Sequence, residues 1–149
     1  MERYDWQRLN HIQIGRYAEY FVKMEFVLHG FDVYTSEVDD RGIDFIVRRN
    51  ETQYFDVQVK SLRGRGYIFF PKDRFLPREN LLAAVVLFEV GKVPDLFLIP
   101  STVWLRGEDP FVSHDYTGKK SPPEWGLKVA KKFFPRLQEF AFDKVVHTL

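Results

Sequence analysis

The sequence predicts an α/β or α+β domain built on a mixed β-sheet, and three observations carry that expectation. The order of elements is helix, then strands, then more strands, then helix. Residues 53–61 alternate strictly, with Phe55, Val57 and Val59 on one face and Asp56, Gln58 and Lys60 on the other. Residues 83–90 and 96–99 are continuous apolar runs of the kind that form strands buried on both faces.

Each element has its own signal. Over residues 15–29 the spacing predicts a helix whose apolar stripe is Tyr17, Tyr20, Phe21, Met24, Val27 and Leu28. Ala18, Val22 and Phe26 add a second apolar side, so much of the circumference is expected to be covered, and Gly30 follows as a stop. Residues 31–35 read as a short strand, 36–42 as a polar turn and 43–48 as a second strand. Asn50, Glu51 and Thr52 form the turn of a hairpin into residues 53–61, and 67–70 read as another short strand. Residues 71–80 are expected to be a loop with a short helical turn. The turn Gly91-Lys92-Val93-Pro94-Asp95 joins the two apolar strands. Ser101 reads as the N-cap of a short helix ending near Arg106, and residues 107–126 as irregular. Pro135 suits the start of a last helix with Leu137, Phe140 and Ala141 on its inner face.

A length of 149 residues suits one domain with a single core, here spanning residues 1–149 with its main part over about 12–100 and a C-terminal extension over 101–149. Hydrophobic residues at 45% and charged residues at 29% exclude a disordered chain. The absence of cysteine excludes disulfides and thiolate metal sites. Residues 1–10 lack the apolar stretch of a signal peptide, and the longest apolar run is too short for a bilayer, so no membrane association and a cytoplasmic setting are the expectation. Net charge is only +1, yet Lys60, Arg63, Arg65, Lys72, Arg74 and Arg78 are opposed locally by Asp73 alone. A basic segment of this kind is able to neutralise phosphates.

The chemistry concentrates between residues 15 and 60. Asp44 sits in an apolar strand, where an unpaired charge is costly. Gln58 and Lys60 share a face of the next strand, and a hairpin pairing brings Asp44 to them. Glu19, on the helix side of Gly15, Val22 and Phe26, is a candidate for a partly buried acid. A hard cation such as Mg²⁺ prefers oxygen ligands. Asp44, Gln58 or the Val59 carbonyl, and Glu19 directly or through water, are candidates to supply them. Such a metal activates water for phosphodiester hydrolysis, with Lys60 orienting the water or offsetting phosphate charge. Taken singly, each residue has a bland reading: a solvated lysine, a satisfied strand-end acid, a surface glutamate. The ordered combination is what points to catalysis.

At these residues the chain resembles the PD-(D/E)XK nuclease superfamily, the restriction-endonuclease-like proteins that include restriction endonucleases, Holliday-junction resolvases and some homing endonucleases. Gly15-Arg16-Tyr17-Ala18-Glu19 resembles the helix glutamate, Gly42-Ile43-Asp44 the motif aspartate without its preceding proline, and Gln58-Val59-Lys60 the (D/E)-x-K element in its glutamine form. The resemblance implies an αβββαβ core with a four-stranded mixed sheet flanked by helices. It also implies an endodeoxyribonuclease using Mg²⁺ or Mn²⁺ on double-stranded or branched DNA, acting as a homodimer or higher homo-oligomer. Gln58 lowers the negative charge of the site, and Asp56 on the same face either compensates or is a surface acid.

For DNA contact the expected residues are Arg63, Arg65, Lys72, Arg74 and Arg78, then Lys119, Lys120, Lys128, Lys131 and Lys132. His11, His29, His114 and His147 have no ligand spacing. Two alternatives stand beside the nuclease: a catalytically weak DNA-binding or assembly subunit that keeps the fold, and a plain structural domain whose charges pair with one another.

Overall fold

A computed structural model describes residues 2–37 and 41–149. The helix starts earlier than its apolar spacing suggests. Helix α1 spans His11–Leu28, and Asn10 and Gln13 close a reciprocal capping box at 2.9 Å each way. Its buried residues are Ile14, Ala18, Val22 and Phe26, each four apart. The expected stripe faces outward instead: Tyr20, Met24, Val27 and Leu28 are all more than half exposed. Both sides of α1 are apolar, so hydrophobicity did not decide between them. The side with Ala18 and Val22 lets the helix lie close on the sheet.

Strands β1 (Asp32–Thr35), β2 (Phe45–Arg48), β3 (Tyr54–Arg63), β5 (Leu81–Phe88) and β6 (Asp95–Pro100) form a five-stranded sheet in the order β1-β2-β3-β5-β6. Only β3 and β5 run parallel, so the sheet is mixed as expected. All eight residues of β5 are buried. The Val38–Asp40 part of the expected polar turn lies outside the described residues.

The crossover from β3 to β5 departs from the expected αβββαβ order. It contains no helix, but strand β4 (Gly66–Pro71) and a turn-rich loop. Tyr67-Ile68-Phe69-Phe70 favours strand, and Pro71 and Pro77 oppose a helix over the stretch that follows. Strand β4 belongs to a second, antiparallel sheet with β7 (Phe111–His114) and β8 (Glu124–Val129), in the order β4-β8-β7. Both later strands enter the region expected to be irregular. They are short and separated by a loop ending in Pro122-Pro123, so no alternation was long enough to read.

Trp104 packs into the core of the second sheet. Its indole N–H donates to the Gly126 carbonyl at 2.7 Å, and its ring meets Phe70, Phe75 and Phe111 edge-on. Ser101–Arg106 is a 3-10 helix, but Ser101 does not cap it. The buried Ser101 hydroxyl instead accepts from the Arg78 N–H and donates to the Arg78 carbonyl. At the C-terminus the expected last helix is split into α2 (Phe134–Gln138) and α3 (Phe142–Val145), with Leu137 and Phe140 buried and Ala141 bridging to Phe97. Among the described residues no helix is long and apolar enough to cross a membrane.

Candidate active site

Strand pairing places three of the sequence-selected residues together. Phe45 pairs with Val57 across β2 and β3, so Asp44, one step before β2, lies opposite Gln58. The Asp44 N–H donates to the Val57 carbonyl at 3.0 Å, and the Val59 N–H donates to Asp44 Oδ2 at 2.7 Å. That second bond pins the carboxylate against β3 at the point where β2 ends. Gly42 makes the approach feasible. Its φ is +75°, and any Cβ there would run into the Arg74 backbone.

Beyond Asp44 no strand pairs with that edge of β3 among the described residues. The N–H and C=O of one strand residue point to the same edge. The Val59 carbonyl therefore faces the edge that the end of β2 leaves open. Gln58 is buried, and its Oε1 is the one buried side-chain polar atom without a hydrogen-bond partner among the described residues. An orphaned amide acceptor of this kind costs about 1–3 kcal/mol. Lys60, two residues on, is half-buried, with its ammonium 5.8 Å and 5.5 Å from the Phe69 and Phe70 ring centres. Burial lowers its pKa, and the Asp44 charge offsets part of that shift.

Glu19 comes from α1, which covers the opposite face of the sheet. Phe26 meets Phe45 at 6.3 Å, whereas Tyr17 meets Phe88, the partner of Arg63, at 6.0 Å. Glu19 therefore lies alongside the stretch of β3 that runs past β2. Lys23, one turn further on the same helix side, reaches Thr35 Oγ1 at 3.3 Å. This puts Glu19 on the β1–β2 flank, over the open edge. Its carboxylate pairs with Arg16 at 3.4 Å. The described residues hold no cluster of three acidic, histidine or cysteine side chains around one point.

Asp56 does not join this group. It is buried and pairs with Arg78 at 2.6 Å, lining a cleft with Arg41, Ile43, Arg74 and Leu81. Replacing Arg78 with Met strands that carboxylate and is expected to destabilise the protein by about 2 kcal/mol, less than for a fully buried pair because Arg78 is part-exposed. A denaturation midpoint unchanged from wild type would contradict it.

The remaining basic residues do not form one strip. Arg63 donates to the carbonyls of Trp6 and Leu9 and so fastens the N-terminal segment. Arg65 lies over Phe134. Lys72 pairs with Asp115 at 2.7 Å and sits over Trp125. Arg74 and Arg78 meet in the cleft with Arg41, a residue outside the sequence-selected set. Lys128 pairs with Asp109, while Lys119, Lys120, Lys131 and Lys132 are exposed.

No protein-family model matches the chain, and no curated protein matches it in sequence. Solved structures do. The Holliday junction resolvase Hjc of Archaeoglobus fulgidus superposes with a TM-score of 0.56 at 12% identity, covering 89% of this chain and 95% of its own. A bacterial homing endonuclease superposes with a TM-score of 0.57 at 17% identity, covering 93% of this chain and 90% of its own. At such low identity the agreement is one of architecture: the chain has the restriction-endonuclease-like fold.

Proposed function

We propose that the chain is a divalent-metal-dependent endodeoxyribonuclease acting on double-stranded or branched DNA, with Glu19, Asp44, Gln58 and Lys60 as its active site. One observation carries the reading. The buried, unpartnered oxygen of Gln58 lies opposite an anchored carboxylate and two residues from a half-buried lysine. In a purely structural domain such an oxygen is a cost, whereas a bound cation would give it a partner.

The donors suit a hard divalent ion. Asp44 contributes a carboxylate, Gln58 and Val59 contribute neutral carbonyl oxygens, and Glu19 flanks the open edge. Mg²⁺ or Mn²⁺ held by these residues would activate a water and offset charge at the phosphate. The chain's own residues do the rest. The Val59 N–H fixes the orientation of Asp44, the β2–β3 pairing fixes Gln58 across from it, and the aromatic walls of Phe69 and Phe70 hold Lys60 beside them. With its pKa lowered, Lys60 is suited to hold or pass a proton at the attacking water, and its charged form suits the scissile phosphate.

The test is incubation with plasmid, linear and branched DNA in Mg²⁺, Mn²⁺ or EDTA, beside Lys60→Ala. Cleavage that needs both metal and Lys60 supports the reading. DNA binding without cleavage on any substrate favours a binding or assembly subunit.

A second copy of the chain is the partner we propose besides DNA. The outward residues Tyr20, Met24 and Val27 are spaced four and three apart along α1, an apolar seam opposite the one that packs on the sheet. Met24→Glu is expected to shift the protein toward monomer in sedimentation equilibrium. A wild-type protein that is already monomeric at every concentration refutes this assignment.

A further inference from the structure

The three-stranded sheet has two unlike faces. Ile68 and Phe70 of β4 point into the core, at 5% and 0% exposure. Tyr67 and Phe69 alternate with them and point outward, at 39% and 50%. Across β8, Phe69 pairs with Gly126 and Tyr67 with Lys128. A Cβ on Gly126 would run into the hydroxyl end of the Tyr67 side chain, so Tyr67 reaches across the sheet over the glycine. The Tyr67 hydroxyl donates to Glu124 at 2.5 Å, which holds the ring down, and burial with this bond keeps the phenol protonated. His114 continues the aromatic surface, 6.3 Å from Tyr67 and stacked on Tyr116 at 5.4 Å.

This surface borders the site just described. Phe69 is the outward residue nearest Lys60, whose ammonium lies 5.8 Å from its ring. A cation stands beside it, Lys128 on the sheet, paired with the exposed Asp109, and the loop from β7 to β8 carries the exposed Lys119 and Lys120. An exposed pair of that kind is worth little and exchanges readily for phosphate. Exposed aromatic rings, one of them anchored through its hydroxyl, with a lysine beside them match a nucleic-acid strand whose bases are unstacked. They do not match a duplex, whose base faces are already covered.

We propose that the outward face of β4 and β8 is a stacking platform on which Phe69 and Tyr67 receive unpaired DNA bases beside the Lys60 site. The choice of DNA rests on the nuclease reading. It narrows the substrate to DNA with unpaired nucleotides next to the cut, such as flaps, gaps and branches. Successive outward residues on a strand stand about 7 Å apart, so Tyr67 and Phe69 offer two adjacent places.

The test uses the full chain in EDTA, so that binding is read without cleavage. A duplex carrying a short flap with the fluorescent base 2-aminopurine at its unpaired root is titrated beside a blunt duplex of equal length. Wild type is expected to bind the flap at least about tenfold tighter and to quench the probe. Phe69→Ala should lose that preference and the quenching, within the roughly 5- to 150-fold range for one stacked base, while Phe69→Trp retains both. Phe69 is half exposed, so the alanine variant should fold, and an unchanged circular dichroism spectrum checks it. Equal binding of flap and duplex by wild type overturns the platform, as does a Phe69→Ala protein that keeps the quenching. Metal-dependent cleavage of blunt duplex with either of those results leaves the nuclease reading standing and the platform refuted. Flap preference that depends on Phe69, with no cleavage in any metal, does the reverse.

Discussion

Lys60→Ala and Asp44→Asn are each expected to lower DNA cleavage by at least about a thousandfold while leaving DNA affinity in EDTA close to wild type. The two variants remove different things. Lysine at position 60 supplies a half-buried cation whose pKa burial has already lowered, so on the proposed reading its removal takes away the group that handles a proton near the phosphate. Without that desolvated charge the apo fold should be no less stable. Asp44→Asn is the sharper probe of the carboxylate, because the amide oxygen still accepts from the Val59 N–H that organises the end of β2. Alanine at position 44 would leave that N–H unpaired and mix a folding cost with a chemical one. Single-turnover cleavage of an excess of enzyme over DNA separates these losses from altered product release. Turnover unchanged in both variants sinks the site assignment.

How much of this was legible in the sequence depended on range. The pairing of Asp44 with Gln58 followed from a hairpin with a short turn and a strictly alternating second strand, both local signals. Helix α1 was legible as a helix, but not its inner face, because Tyr20, Met24 and Val27 on one side and Ala18, Val22 and Phe26 on the other are equally apolar. Packing against Phe45 made the choice, and that residue is not near in sequence. The basic residues were the least legible. Arg63 answers to carbonyls 57 and 54 residues away, Lys72 to a carboxylate 43 away and Arg78 to one 22 away. No local pattern records such partners. The outward Tyr67 and Phe69 had a readable signal, since they alternate with Ile68 and Phe70, but which pair faced out required the second sheet.

Gln58 gives the second large effect, and two substitutions at this one position should move stability and metal response in opposite ways. Gln58→Leu removes a buried acceptor that has no hydrogen-bond partner among the described residues, so the metal-free variant should be more stable than wild type by about 1 kcal/mol. It should also lose most of the rise in melting temperature expected of the wild-type protein in Mg²⁺ or Mn²⁺, because a ligand stabilises a fold only in proportion to its occupancy. Gln58→Glu replaces a neutral oxygen with an anionic one opposite Asp44. Two carboxylates close together repel, so the metal-free fold should be weakened, most clearly above the carboxylate pKa range. A divalent cation relieves that repulsion, and the concentration needed for half-maximal stabilisation should fall by about tenfold or more, roughly 1.4 kcal/mol. Thermal melts across a metal titration, with calcium as a cation that binds without requiring cleavage, read all three proteins on one scale. If the leucine variant responds to metal as strongly as wild type, the Gln58 oxygen is not a ligand, and the burial of that unpartnered atom needs another cause.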